Sequence, residues 1–287
     1  MKQLSNTLES TDQSAELFIN EDKFQASFLT NKGGRKENQD AFAITKTKDG
    51  TWVFCVADGL GGHKGGKLAS QIAISAICEF CQSEKFNFFK PLTFRNAFQQ
   101  ANDKIVEGQK DNPQYAKMKS TLVVLLVKNN LAIWGHVGDV RLYLFRDDKI
   151  FHQTKDQSVP QMLVDSGEIS QDEIRTHPER SSLLNSLGNT VKKVNVVVPI
   201  SYCQLSANDF FNLSSDGFWE NILEKDMINI LNKSENMEKA SMEMYQHILS
   251  NITESEYDNL TALNLKIIQS EKNLTYWHKT KYIEVRK

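Results

Sequence analysis

The sequence predicts an α+β fold whose core is two antiparallel β-sheets packed face to face with helices outside, and three observations predict it. Strand-like runs come in blocks of neighbours, helical runs come in blocks between them, and no strand–helix–strand alternation links the two. Glycine and proline are sparse, 14 and 5 in 287 residues, so no linker divides the chain. Residues 21–270 read as one domain, after a polar N-terminal extension over 1–20 and before a basic tail over 271–287 that carries Tyr276 and Trp277.

The first strand block is Phe24–Thr30, Ala41–Lys46 and Trp52–Ala57. A helix follows because Ala69, Ile72, Ala73, Ala76, Ile77 and Phe80 recur at helical spacing. A second helix shows Phe94, Ala97, Phe98, Ala101 and Ile105 on one face. The second strand block is Thr121–Val127, Leu131–Val137 and Arg141–Arg146, with Asn129-Asn130 and Asp147-Asp148 at its turns. Residues 155–192 are polar, with a helical patch at Val159–Asp165. Strands are then expected at Lys193–Ile200 and Asp209–Leu213, helices at Asp226–Leu231 and Met237–Asn251, and a last strand at Leu260–Ile268.

Composition narrows the function classes. Hydrophobic residues make up 40%, charged residues 24%, and the net charge is −2, which describes an ordinary soluble globular protein without the basic face that nucleic acid requires. Met1–Asn20 lacks the apolar core of a signal peptide, and the longest apolar run, Leu122–Val127, is too short to span a bilayer. A cytoplasmic monomer with no nucleic-acid or membrane partner is expected. Cys78 and Cys81 form a CxxC, but no second pair or histidine pair accompanies them, so they and Cys55 and Cys203 read as structural thiols.

Acidic segments carry the chemistry. Arg35-Lys36-Glu37-Asn38-Gln39-Asp40, Val56-Ala57-Asp58-Gly59, Ser214-Ser215-Asp216-Gly217 and Tyr257-Asp258-Asn259 each put an Asp beyond an apolar strand or beside a glycine, and Gly138-Asp139 sits between two strands. A strand end fixes a short carboxylate in place. Several converging carboxylates repel unless a cation lies between them, and an all-oxygen set suits Mg2+ or Mn2+ better than Zn2+. One Asp-Gly alone is a turn, as Asp49-Gly50 is read here.

In order along residues 24–268, "GGRKENQDAF", "VADGLGGHKGG", "STLVVLLV", "VGDVRLYLFR", "TKDQSV", "LLNSLG", "SSDGFWE" and "DNLTAL" resemble the motifs of the metal-dependent protein phosphatases, the type 2C serine/threonine family, in bacterial form. The resemblance implies a β-sandwich flanked by helix pairs, in α-β-β-α layers. It implies a phosphoserine/phosphothreonine protein phosphatase that uses a metal-bridging water as nucleophile, with two Mn2+ or Mg2+ ions. Asp58 would bridge both ions, Asp216 and Asp258 would complete one, the Gly59 carbonyl would bind the other, and Asp40 would hold coordinated water. Arg35 would clamp the phosphate with its planar fork. A third ion would use Asp139 and Asp216, helped by Glu220. Residues 155–190 resemble the flap that selects substrates. Bacterial relatives oppose a serine/threonine kinase, some in type VI secretion, which makes a phosphorylated protein and a cognate kinase the expected partners.

Two departures stand out. Gln39 replaces a frequent Glu, and Leu60 occupies the place of a histidine proposed elsewhere as general acid, with His63 nearby. Two other readings are open. A phosphoprotein-binding module without catalysis would share the fold. A P-loop is suggested by Gly61–Lys67 before a helix, although Leu68 stands where a hydroxyl must reach Mg2+.

Overall fold

A computed structural model describes residues 15–20, 23–61, 64–190, 193–252 and 257–268. In chain order its elements are β1 (Ala15–Asn20), β2 (Phe24–Asn31), β3 (Ala41–Lys46), β4 (Trp52–Ala57), β5 (Gly59–Leu60), α1 (Lys64–Gln82), α2 (Pro91–Asp111), β6 (Lys119–Ser120), β7 (Leu122–Lys128), β8 (Leu131–Val137), β9 (Arg141–Arg146), β10 (Lys149–Gln153), α3 (Val159–Ser166), β11 (Cys203–Gln204), β12 (Phe210–Ser214), α4 (Asp216–Trp219), α5 (Glu224–Lys233), α6 (Met237–Asn251) and β13 (Leu260–Ile267). Among the described residues one large sheet runs β1-β2-β13-β12-β9-β10, a second runs β11-β8-β7-β4-β3, and β5 and β6 form a two-stranded ribbon, with every pairing antiparallel.

Strand alternation builds the layers. On β4, Phe54 and Val56 point between the sheets while Val53, Cys55 and Ala57 point to α1 and α2. β7 repeats this with Val123, Leu125 and Val127 inward and Leu122, Val124 and Leu126 outward. Both faces are buried, so "LVVLLV" is an unbroken apolar run and not an alternating one. The other sheet sends Phe211, Leu213, Leu263 and Leu265 inward. Its outer Tyr143, Phe145, Phe210 and Ala262 pack with Met227, Met244 and Ile248 of α5 and α6. The result is the expected α-β-β-α stack.

Turn chemistry sets the hairpins. Asp147 and Asp148 both adopt positive φ, at 50° and 57°, which suits the twist of a two-residue hairpin between β9 and β10. The turn is expected from sequence; β10 beyond it is not.

Two expectations change. Residues 15–20 of the expected polar extension form an edge strand, β1, paired with β2 from Ala15↔Thr30 to Asn20↔Gln25. Residues 193–200 do not form a strand. Val197 alone bridges His136 on β8, and Pro199 offers no N–H to continue a ladder. The tail over 271–287 and His63 lie outside the described residues. Among the described residues no helix is long and apolar enough to cross a membrane.

Candidate active site

Antiparallel pairing brings the acidic segments to one end of the sandwich. Asp58 follows β4, and its partner strand β3 begins just after Asp40, with Ala41 opposite Ala57. Asp216 follows β12 and Asp258 precedes β13, the two strands being paired from Ser214↔Ala262. Asp139 lies in the turn from β8 to β9, and Arg141 pairs with Ser214. Four strand ends and one hairpin therefore share one rim.

Glycines allow the close approaches. A Cβ on Gly59 would lie 2.0 Å from the Gly66 carbonyl oxygen, and one on Gly66 would lie 2.5 Å from both the Gly59 oxygen and Gln39 Oε1. The first turn of α1 is thereby seated on the Asp58-Gly59 backbone. Gly66 of the suspected P-loop serves this contact, and Gly61 lies against the Lys117-Met118 backbone, so both face protein and not an open phosphate cradle. The Asp58 backbone is fixed as well, its N–H donating to Thr121 Oγ1 at 3.0 Å and its carbonyl accepting from the Thr121 N–H at 2.9 Å and Ser120 Oγ at 3.0 Å.

Asp40 and Asp139 are fully buried; Asp58, Asp216 and Asp258 keep part of their surface open. Burial, reinforced by the charges of Asp216, Asp40, Asp139 and Asp258, pushes the Asp58 carboxyl well above the usual range. Asp216 moves the same way, through burial and then Asp139, Glu220, Asp258 and Asp40. Burial raises Asp139 to about 7, with Asp156 adding to it, and raises Asp40 to about 6, opposed by hydrogen bonds from Ser215 and Thr261. Ser215 Oγ donates to Asp40 Oδ2 at 2.7 Å. Among the described residues Asp40 Oδ1 and Asp139 Oδ1 are buried without a hydrogen-bond partner.

The remaining oxygens are engaged locally. Asp216 Oδ1 accepts from the Gly217 N–H and Asp258 Oδ1 from the Asn259 N–H, both at 2.7 Å. Asp258 Oδ2 accepts from Arg35 Nη2 at 2.5 Å. Among the described residues no three His, Cys, Asp or Glu side chains form a ready-made metal cluster. Asp216 and Asp258 turn one oxygen each to the N–H of the following residue. In donor chemistry the residues nevertheless fit a hard divalent cation: the oxygens are carboxylate, mutually repulsive, and two of them are orphaned.

Residues outside the expected set also reach the rim. Arg180 donates through Nε to Glu220 Oε2 at 3.1 Å. Asn259 accepts from the Gln39 N–H at 2.7 Å and donates to the Lys32 and Glu37 carbonyls at 2.8 and 3.0 Å, tying the Arg35–Asp40 loop to Asp258. Asn259 stands in a quoted motif, but its backbone partners leave no trace in the sequence.

Known proteins resemble the chain in sequence and in fold. The family model described as protein phosphatase 2C matches residues 33–252. The serine/threonine phosphatase stp of Listeria welshimeri is 29% identical over 228 residues, which cover 76% of this chain and 87% of that protein. The serine/threonine phosphatase Stp1 of Staphylococcus aureus has a similar structure, with a TM-score of 0.77 at 28% identity over 85% of this chain and 95% of that one. The catalytic domain of a serine/threonine protein phosphatase PstP, solved in complex with two manganese ions, shares the fold with a TM-score of 0.72 at 23% identity over 86% of this chain and 99% of that one.

Proposed function

The chain belongs to the protein phosphatase 2C family and is a bacterial-type serine/threonine phosphatase, and from that premise we propose that it hydrolyses phosphoserine and phosphothreonine in proteins at the acidic rim of the sandwich, with Mn2+ or Mg2+ as cofactor. One observation carries the reading: Asp40, Asp58, Asp139 and Asp216 are crowded at one strand-end rim until their carboxyls shift upward, an arrangement that makes sense when divalent charge offsets it.

Asp58 would hold two ions, Asp216 and Asp258 would complete the set for one, and the Gly59 carbonyl would serve the other. Asp139, with Asp216, would serve a third, and Asp40 would orient coordinated water. Bound divalent ions supply Lewis acidity, making water nucleophilic near neutral pH and offsetting phosphoryl charge. Arg35, exposed at the rim, binds the phosphate oxygens through its fork. Asp40, buried at the rim with Oδ2 held by Ser215, keeps Oδ1 available to the reacting water. Leu60 offers no proton where a histidine could.

The sandwich from β1 to β13 acts as the catalytic domain, and the flap over 155–190 selects the phosphoprotein. The enzyme opposes a serine/threonine kinase as a cytoplasmic monomer; a role in type VI secretion is supported by the flap's resemblance alone. The test is hydrolysis of p-nitrophenyl phosphate and a phosphothreonine peptide with Mn2+, with EDTA, and by Asp58→Ala. Activity is expected with Mn2+ only. Undiminished hydrolysis in EDTA or by Asp58→Ala would overturn the reading, and Mn2+-dependent peptide binding without turnover would favour a binding module.

A further inference from the structure

The Gly138-Asp139 turn is gripped from two sides by residues that no ligand pattern singles out. Gln157, at the start of the flap, brackets Gly138: its N–H donates to the Gly138 carbonyl and its Oε1 accepts from the Gly138 N–H, both at 2.9 Å. Its carboxamide is held in turn by Asn185 Nδ2 at 2.7 Å and by the Asn195 carbonyl at 2.9 Å. On the other side the Trp219 indole N–H donates to the Asp139 carbonyl at 3.0 Å.

Trp219 cannot drift. It is 1% exposed, and the Arg141 guanidinium lies 3.4 Å from its ring centroid. Arg141 forks onto both oxygens of Asp156 at 2.8 Å and donates to Tyr143 Oη at 2.9 Å, all buried. Gly138 has φ +96°, and a Cβ there would lie 2.6 Å from Thr121 Cγ2, so the turn has no room to shift. The Gly138-Asp139 backbone is thus fixed by three bonds, two at Gly138 and one at the Asp139 carbonyl, while the buried Asp139 Oδ1 receives none among the described residues.

We propose that Trp219 and Gln157 are positioning residues for a divalent cation at Asp139: they fix its backbone and so aim a carboxylate oxygen that no protein donor occupies. This rests on the reading of Asp139 as a cation ligand. Orientation through the main chain does what a hydrogen bond to the ligand side chain usually does, and it leaves Oδ1 available to the ion. It also ties the ion's position to the flap, because Asp156 and Gln157 are neighbours.

The experiment counts bound Mn2+ by the loss of free-ion paramagnetic resonance in the full chain, for the wild type, Trp219→Phe, Gln157→Ala, Asp139→Asn and Trp219→Phe with Asp139→Asn. Phe keeps a ring for Arg141 and removes the N–H. Both Trp219→Phe and Gln157→Ala are expected to weaken the loosest class of Mn2+ about tenfold, to leave the tighter ions unchanged, and to add nothing to Asp139→Asn. If Trp219→Phe fails to fold, Gln157→Ala carries the test. Wild-type Mn2+ isotherms for the folded variants, or a loss additive with that of Asp139→Asn, would overturn the positioning role alone. Absence of Mn2+ binding by the wild type would overturn it together with the cation reading.

Discussion

Arg35 Nη2 lies 2.5 Å from Asp258 Oδ2, so the side chain proposed to clamp phosphate is paired with one proposed to hold a cation. The two are 62% and 40% exposed, and an exposed pair of this kind contributes about 1 kcal/mol or less. A phosphate or a cation can therefore separate them cheaply.

Arg35→Ala should then leave the melting temperature within about 2 °C of wild type while lowering kcat/KM for a phosphothreonine peptide by roughly 10–100-fold, the size of a lost charge-assisted bond to substrate. Steady-state kinetics beside a thermal melt checks both halves. A large drop in melting temperature with normal kinetics would make Arg35 a structural residue.

Asp58 is the most crowded carboxylate of the rim, since Asp216, Asp40, Asp139 and Asp258 all act against its charge. Asp58→Asn removes that repulsion at nearly constant shape. In EDTA the variant should melt higher than wild type. With Mn2+ at about 100 times its dissociation constant the wild type should gain roughly 2.7 kcal/mol and the variant much less, while its peptide hydrolysis falls to background. A variant that melts lower in EDTA would mean that Asp58 is held by hydrogen bonds and not opposed by its neighbours.

Asp49 gives a pH dependence away from the rim. Burial works to raise its carboxyl, but Lys128 at 2.6 Å, Thr47 Oγ1 at 2.5 Å and Thr51 Oγ1 at 2.8 Å outweigh it and hold the group well below the usual range. A depressed folded value stabilises the fold above the unfolded value near 3.8 and loses that contribution as pH falls through the folded one. The stability difference between wild type and Asp49→Asn, from urea unfolding at pH 7, 5, 4 and 3, should hold steady down to about pH 4 and then shrink. A difference that widens on acidification would reverse the sign.

The layers and the rim were legible for physical reasons. β4 and β7 bury both faces, so Trp52–Ala57 and Leu122–Lys128 stand out as apolar runs, Asp58 and Asp216 mark where strands stop, and Asp258 marks where one starts. β1 was hidden because Leu17-Phe18-Ile19 is too short a run to stand out in a polar context. Val194–Val198 misled in the opposite sense: its composition is strand-like, but only Val197 finds a backbone partner on β8. Gln157 and Trp219 stand in the motifs TKDQSV and SSDGFWE, but their roles left no signal because their bonds run to main-chain atoms of Gly138 and Asp139.

Gly217 is where the two halves of the rim touch. A Cβ there would lie 2.1 Å from the Asn259 carbonyl oxygen and 3.4 Å from the Asp258 carbonyl carbon. The obstacle is backbone, and it cannot retreat, because the Asn259 side chain is bonded to Lys32, Glu37 and Gln39. Gly217→Ala must instead push α4, with Asp216 at its first position, away from Asp258. The expected cost is about 1–3 kcal/mol of stability, with at least a tenfold loss of peptide hydrolysis that raised Mn2+ partly restores. Gly50→Ala is the control. Its φ of +85° strains the chain by about 1–2 kcal/mol, but a Cβ there meets nothing within 4 Å and lies far along β4 from the rim. Equal destabilisation with activity lost only in Gly217→Ala would tie turnover to the spacing of Asp216 and Asp258. Equal activity in both variants would free turnover from that spacing.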